Sequence, residues 1–234
     1  MCFNRSCGHR GLEVNSATQQ YAHGHMNPAT KLNDVTPSLY NWAGFHSQWK
    51  IDFDSYAVKS ADGIVFIDPT TPGPSVLKKL EALGEPLAIV LTNAHHDRDA
   101  DWFRKRYEIQ IYAHESARSD CDTKLDVQVM NGEKLPGGLT AIYLPGSTAS
   151  EMALYTKSNG GIVLIGDALL NLPADGLTLL PDQYIEDRKQ CLQSLRKLLE
   201  LNFKTVTFAH GNPLVTDAKK QIAAFLRNPK KRTK

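Results

Sequence analysis

Two histidines, two aspartates and an arginine stand within five residues of one another in the stretch Leu91-Thr92-Asn93-Ala94-His95-His96-Asp97-Arg98-Asp99. Imidazole exchanges protons near neutral pH and also ligates metal ions, so a histidine pair beside carboxylates can do acid-base or metal chemistry. The stretch follows an apolar run, Pro86 to Leu91, that reads as a buried strand. In layered α/β folds the carboxyl end of a strand is where ligand sites are built. If the chain stays extended there, residues two apart point the same way, which puts Asn93 and His95 on one face. A plainer reading is a polar loop in which Asp97 or Asp99 caps the next helix. Two His and two Asp in so short a span favour a site, with His95, His96 and Asp97 its candidate catalytic residues.

The elements that must position this stretch follow from the apolar pattern. Ser38 to Trp49 is aromatic-rich and suits a strand or hairpin, and Phe53 to Val58 reads as the next strand. Ala61-Asp62-Gly63 turns into Ile64-Val65-Phe66-Ile67, a run of the kind buried on both faces. A helix from Ser75 to Leu83 closes at Gly84, the strand Leu87 to Leu91 follows, and a helix through Trp102 to Tyr107 leads to a strand from Ile109 to Tyr112. The second half repeats the theme. Strands are expected at Leu139 to Leu144, Glu151 to Thr156, Ile162 to Ile165 and Thr205 to Phe208, with helices from Tyr184 to Leu201 and from about Asp217 to Leu226. Glu151, a few residues after Ser147, reads as a surface residue at the start of its strand, with a place lining the same pocket as the alternative.

Composition bounds the class. The 234 residues suffice for one large domain, and 41% apolar with 22% charged residues is the balance of an ordinary globular protein. A net charge of +2 gives no reason to expect a nucleic-acid partner, and the basic run Lys230-Lys231-Arg232-Thr233-Lys234 reads as a solvated tail. No apolar run has the length to span a bilayer. Residues 1–28 lack the apolar core of a signal peptide, so a cytoplasmic address is expected. Cys2, Cys7, Cys121 and Cys191 follow no framework spacing. Residues 1–30 read as a flexible extension and 31–234 as a single domain.

Four segments then stand in order, each after an expected strand: Thr92 to Arg98, Leu144-Pro145-Gly146-Ser147-Thr148, Ile165-Gly166-Asp167-Ala168 and Phe208-Ala209-His210-Gly211. Together they resemble the metallo-β-lactamase superfamily, over roughly Tyr40 to the carboxyl terminus, and Ile67-Asp68-Pro69 is similar to that family's aspartate at the end of an early strand. The resemblance implies an α/β fold, a four-layer αβ/βα sandwich of two mixed sheets flanked by helices, whose strand ends supply ligands for two metal ions. This chain departs from the pattern at several ligands. The family's His-x-His-x-Asp-His holds Asn93, His95, Asp97 and Arg98, and the later histidine is Ser147, whereas the bridging Asp167 and the last His210 are kept. Arginine stays protonated and cannot ligate, and Asn and Ser oxygens replace imidazole poorly on zinc.

The resemblance therefore implies at most one divalent ion, zinc, manganese or iron, held by Asp97, Asp167 and His210 with His95 as a further candidate. His96 has no counterpart among the family's ligands and is expected to face away from the site, or else to join His95 in acid-base work. Arg98 is expected to bridge Asp97 and Asp167 in place of the second metal. Two functions fit: a hydrolase-like enzyme with at most one ion, its substrate unknown, or a metal-free binding module whose Asn93, Arg98, Ser147 and histidines take an anionic small molecule. Either way the expected partner is a small molecule, not nucleic acid or membrane.

Overall fold

The computed structural model describes residues 26–229. The strands run β1 (Met26–Asn27), β2 (Asn33–Thr36), β3 (Leu39–His46), β4 (Ile51–Lys59) and β5 (Ile64–Ile67). Helix α1 (Pro74–Glu81), β6 (Pro86–Val90), helix α2 (Ala100–Tyr107), β7 (Gln110–His114) and β8 (Val127–Val129) follow. The second half holds β9 (Lys134–Leu135), β10 (Leu139–Tyr143), β11 (Met152–Thr156), β12 (Ile162–Ile165), β13 (Leu170–Leu172), β14 (Gly176–Thr178), helix α3 (Arg188–Arg196), β15 (Thr205–Phe208) and helix α4 (Ala218–Arg227).

One sheet is ordered β1-β3-β4-β5-β6-β7-β8 with β2 beside β3, and the other β15-β12-β11-β10-β9. Both are mixed. The β3–β4 and β4–β5 pairs are antiparallel while β5–β6 and β6–β7 are parallel, and β12 pairs antiparallel with β11 but parallel with β15. The alternation of side chains along each strand decides what each face meets. Val65 and Ile67 of β5 join Leu154 and Leu164 of the other sheet in the central core. Their neighbours Ile64 and Phe66 face α1 and α2 through Leu80 and Phe103. Val163 and Ile165 of β12 face α3 and α4 through Leu195 and Ile222. Because both strands are covered on both faces, Ile64-Val65-Phe66-Ile67 and Ile162-Val163-Leu164-Ile165 are unbroken apolar runs. The result is the four-layer αβ/βα sandwich expected from the sequence.

Two boundaries differ from the sequence reading. Residues 26–30, drawn with the flexible extension, belong to the fold: β1 pairs with β3, and Ala29 is buried against the α1 side with its carbonyl accepting from Gly73 N. Residues 1–25 of that extension, with Cys2 and Cys7, and the basic run 230–234 lie outside the described residues. The helix expected from Tyr184 begins at Arg188, because the Asp187 side chain accepts from Gln190 N and caps it there. Among the described residues no helix is long and apolar enough to cross a membrane.

Phe66 sits at the centre of the outer core of the first sheet, its ring edge-on to Trp42 at 6.3 Å and 4.8 Å from Phe103. Phe66→Ala should lower unfolding stability by about 3–5 kcal/mol, read from the midpoint and slope of urea denaturation.

Candidate functional site

The ends of β5, β6, β12 and β15 meet at one edge of the sandwich, and the polar residues that follow them converge there. Asp68 follows β5 in a left-handed conformation (φ 46°). Its carboxylate accepts from Thr92 N at 2.8 Å, from Thr92 Oγ1 at 2.5 Å and from His96 Nδ1 at 2.9 Å. After β6 the chain does not stay extended. Ala94–His96 form a 3-10 turn capped by Asn93, whose side-chain oxygen accepts from His95 N at 2.9 Å. In such a turn residues three apart are eclipsed, so Asn93 and His96 lie on one side and His95 on the other. His96 is buried and His95 is exposed.

His96 Nδ1 is thus tied to Asp68, and its Nε2 lies 3.3 Å from Asp167 Oδ2. On the far side His210, which follows β15, has Nδ1 at 2.7 Å from the Asp52 carbonyl. A carbonyl only accepts, so His210 Nδ1 carries the proton. His210 Nε2 faces Asp167 Oδ1 at 3.5 Å, and that oxygen is buried without a hydrogen bond. Gly211 lets the chain turn immediately after His210. Its φ is 100°, and a Cβ there would collide with the Asn171 carbonyl. His96, Asp167 and His210 offer three ligand atoms within 4.8 Å of one another, the one such group among the described residues.

The remaining expected residues sort themselves around this cluster. Asn93 belongs to it, and its Nδ2 donates to Glu151 Oε2 at 3.0 Å. Glu151, read from the sequence as a surface residue, is fully buried, and its other oxygen accepts from Ala168 N. Asp97 is buried but turned away, accepting from Thr123 N at 3.1 Å and contacted by Cys121 Sγ. Asp97 and His95 are thus not in the His96–Asp167–His210 cluster. Ser147 is buried with its hydroxyl unpartnered and makes no hydrogen bond to the cluster. Arg98 does not bridge Asp97 and Asp167. Its Nη1 donates to the carbonyls of Asp54 at 2.7 Å and Asp68 at 3.0 Å, and its guanidinium lies 4.9 Å from the Phe53 ring centre. To reach there the backbone at Arg98 adopts φ 37°, a left-handed conformation costing a non-glycine residue of order 1 kcal/mol. Sequence reasoning missed Thr92, Asp54 and Phe53, and preferred a surface place for Glu151 over the interior one it holds. The Asn at position 93, a strong capping residue before a polar tripeptide, is the signal from which the turn was legible.

The charges are strongly coupled. Burial works against a charged His96, but the carboxylates of Asp167 and Asp68 on either side outweigh it and push its pKa up to about 9. Burial also disfavours an ionised Asp167, yet His96, His210 and Arg98 around it hold the carboxyl well below the ordinary range. His210 goes the other way: burial, only partly opposed by Asp167, pushes it down to about 4. Burial, helped by the charge of Asp167, raises Glu151 to about 8. At neutral pH, then, a cationic His96 faces an ionised Asp167, while His210 and Glu151 are uncharged.

In chelator-treated protein the stability should therefore fall across the alkaline limb. The folded chain holds the His96 proton more tightly than the unfolded one, so this stabilisation is complete below 6.5 and is lost as pH passes about 9. Glu151 acts with the same sign between 4.5 and 8, because unfolding frees a carboxyl that the fold keeps protonated. Urea denaturation from about pH 6 to 10 checks this. Glu151→Gln should roughly halve the fall between 6.5 and 8, where both groups act, and leave the His96 fall that continues to about 9. A level profile throughout contradicts the buried His96 cation.

Comparison with known proteins agrees with this architecture. A metallo-beta-lactamase from Pontibacter korlensis superposes with a TM-score of 0.69 at 17% identity, over 85% of this chain and 99% of that one. A metallo-beta-lactamase family protein from Thermus thermophilus gives 0.59 at 17% identity, over 83% and 80%. An archaeal metallo-beta-lactamase superfamily protein from Sulfolobus tokodaii gives 0.57 at 21% identity, over 74% and 78%. No curated protein matches at a significant level. The sequence model of the metallo-beta-lactamase superfamily matches residues 32–227, nearly the whole described chain, and with the same two-sheet sandwich this establishes that the chain belongs to that superfamily.

Proposed function

We propose that this chain is a hydrolase that works with a single divalent ion held by His96, Asp167 and His210, and acts on a small molecule in the cleft. One observation carries the reading. The Nε2 of neutral His210 and the buried, unpartnered Oδ1 of Asp167 face each other at 3.5 Å, two lone pairs that call for a cation between them. The donor set fits such an ion once His96 releases its Nε2 proton on binding. Two imidazoles and a carboxylate suit zinc, manganese or iron. The two imidazoles approach different oxygens of Asp167, at 3.3 and 3.5 Å, and one ligand atom from each residue lies within 4.8 Å of the others. A second ion does not fit: Asn93 donates to Glu151, Arg98 cannot ligate, and Asp97 is engaged with Thr123.

A divalent ion in this position supplies Lewis acidity and activates water for hydrolysis. The chain's own groups do the rest. Asp68 and the Asp52 carbonyl each hold a proton at an imidazole Nδ1, which leaves both Nε2 atoms directed at Asp167. Thr92 fixes the Asp68 carboxylate from two sides. The burial of His96 and the small exposure of Asp167 limit the screening of their charges by bulk water. The near-even charge balance and scattered cysteines favour a cytoplasmic role.

Untagged protein purified without chelator should carry close to one ion per chain by elemental analysis. A value near two refutes the one-ion site, and a value near zero with no calorimetric uptake leaves the metal-free binding module. Replacing His96, Asp167 or His210 by Ala should abolish uptake, whereas His95→Ala should leave it intact. Asp68→Asn should weaken it roughly 10- to 100-fold by releasing His96.

A further inference from the structure

We infer that Arg98 presents an oxyanion-binding fork to the cleft, so that the molecule taken up beside His96, Asp167 and His210 carries a carboxylate or phosphate group. The inference deepens the reading above by naming a substrate class, and it rests on the same cleft being the working site. Three features of Arg98 carry it. First, only one of its three nitrogens is used: Nη1 is anchored by the carbonyls of Asp54 and Asp68, while Nε and Nη2 are buried and have no hydrogen-bond partner. Those two form the side-on edge of the guanidinium, whose parallel N–H groups match the two oxygens of a carboxylate or phosphate. Second, among the described residues no carboxylate lies within ion-pair distance of Arg98, so a permanently charged group is buried with its strongest donors unanswered.

Third, the arrangement is enforced. The left-handed backbone at Arg98 directs its side chain back over β4. Phe53 lies against its guanidinium and also meets His210 edge-on at 5.3 Å. Behind Phe53 a ring stack runs through His46 to Trp49, which is half exposed. A solvated surface arginine needs none of these supports. Here they hold the guanidinium rigid while leaving its recognition edge unused, and they set it on the same Phe53 ring that borders His210. Nε and Nη2 are covered in this structure, so on the proposed reading the ligand reaches them only by displacing what covers them. Once there, an anion competes with no bulk water for the two N–H groups.

The test follows the Arg98 Nε–H resonance in nitrogen-15 spectra of the whole chain, chelator-treated and metal-loaded, while acetate or inorganic phosphate is added. The resonance is assigned by its loss in Arg98→Lys. At least one probe should shift it saturably, and Arg98→Lys should weaken binding of that probe about tenfold or more. Response to acetate alone names a carboxylate substrate, and response to phosphate alone names a phosphorylated one. No saturable shift with either probe overturns the inference, as does unchanged affinity in Arg98→Lys. If that variant does not fold, the wild-type shift, with Arg98 assigned by elimination, decides the matter. Metal uptake without an anion response removes the fork and leaves the one-ion site, whereas an anion response without metal uptake does the reverse.

Discussion

The Asp68 carboxylate is the interaction on which the site depends. It sits at the end of β5 and accepts three hydrogen bonds, two from Thr92 at the end of β6 and one from His96 in the turn beyond. Its backbone carbonyl accepts from Ser55 Oγ on β4 and from Arg98 Nη1. One residue therefore fixes the ends of β5 and β6 against the middle of β4, together with a ligand-type histidine and a partly buried cation. Asp68 is only 2% exposed, and a carboxylate so buried is tolerable only when its oxygens are answered in this way. The left-handed backbone that aims it inward is held by the same contacts.

The sandwich itself was legible in the chain because its central strands have no polar face to confuse the pattern. Ile64-Val65-Phe66-Ile67 and Ile162-Val163-Leu164-Ile165 can be read as nothing but buried, and the polar motifs after them fall at strand ends by simple counting. The order of the four motifs placed Asp167 and His210 at the same edge. What failed was the local register after β6. An extended chain pairs Asn93 with His95, whereas a 3-10 turn pairs Asn93 with His96, and the two histidines exchange roles between these conformations. Asn93 decides between them, since its side chain caps the turn as readily as a histidine there would ligate. Glu151 was misread for a different reason. Nothing in Ser147-Thr148-Ala149-Ser150-Glu151 is strongly apolar, and only the approach of Asn93 and Ala168 from distant strands makes the end of that segment an interior position.

The departures from the family's ligand pattern are mostly matched by their surroundings. Where the pattern has its first histidine, Asn93 is engaged on both ends of its amide, capping His95 N and donating to Glu151. Glu151 in turn sits in a place where burial favours its protonated form, so no uncompensated charge results from losing a cation there. Where the pattern has a histidine of the second metal, Arg98 is supported by two carbonyls and an aromatic ring. Ser147 is the exception, with a buried hydroxyl that no neighbour answers.

That contrast bears on whether the cleft is a working site or the remnant of one. Losing ligands without compensation leaves like charges facing each other and donors unsatisfied throughout, each costing about 1–3 kcal/mol. Here the unsatisfied groups are concentrated instead. Asp167 Oδ1, the Nε and Nη2 atoms of Arg98 and the Ser147 hydroxyl are left over, while Asp68, Thr92, Asn93, Glu151 and the Nδ1 atoms of both histidines are engaged. An acceptor turned toward a bare imidazole nitrogen and a fork of two donors are complementary to a cation and an anion respectively. On the proposed reading, a fold that satisfies most of the frame of a cleft and leaves these groups open keeps the polarity that a bound, charge-separated ligand set requires.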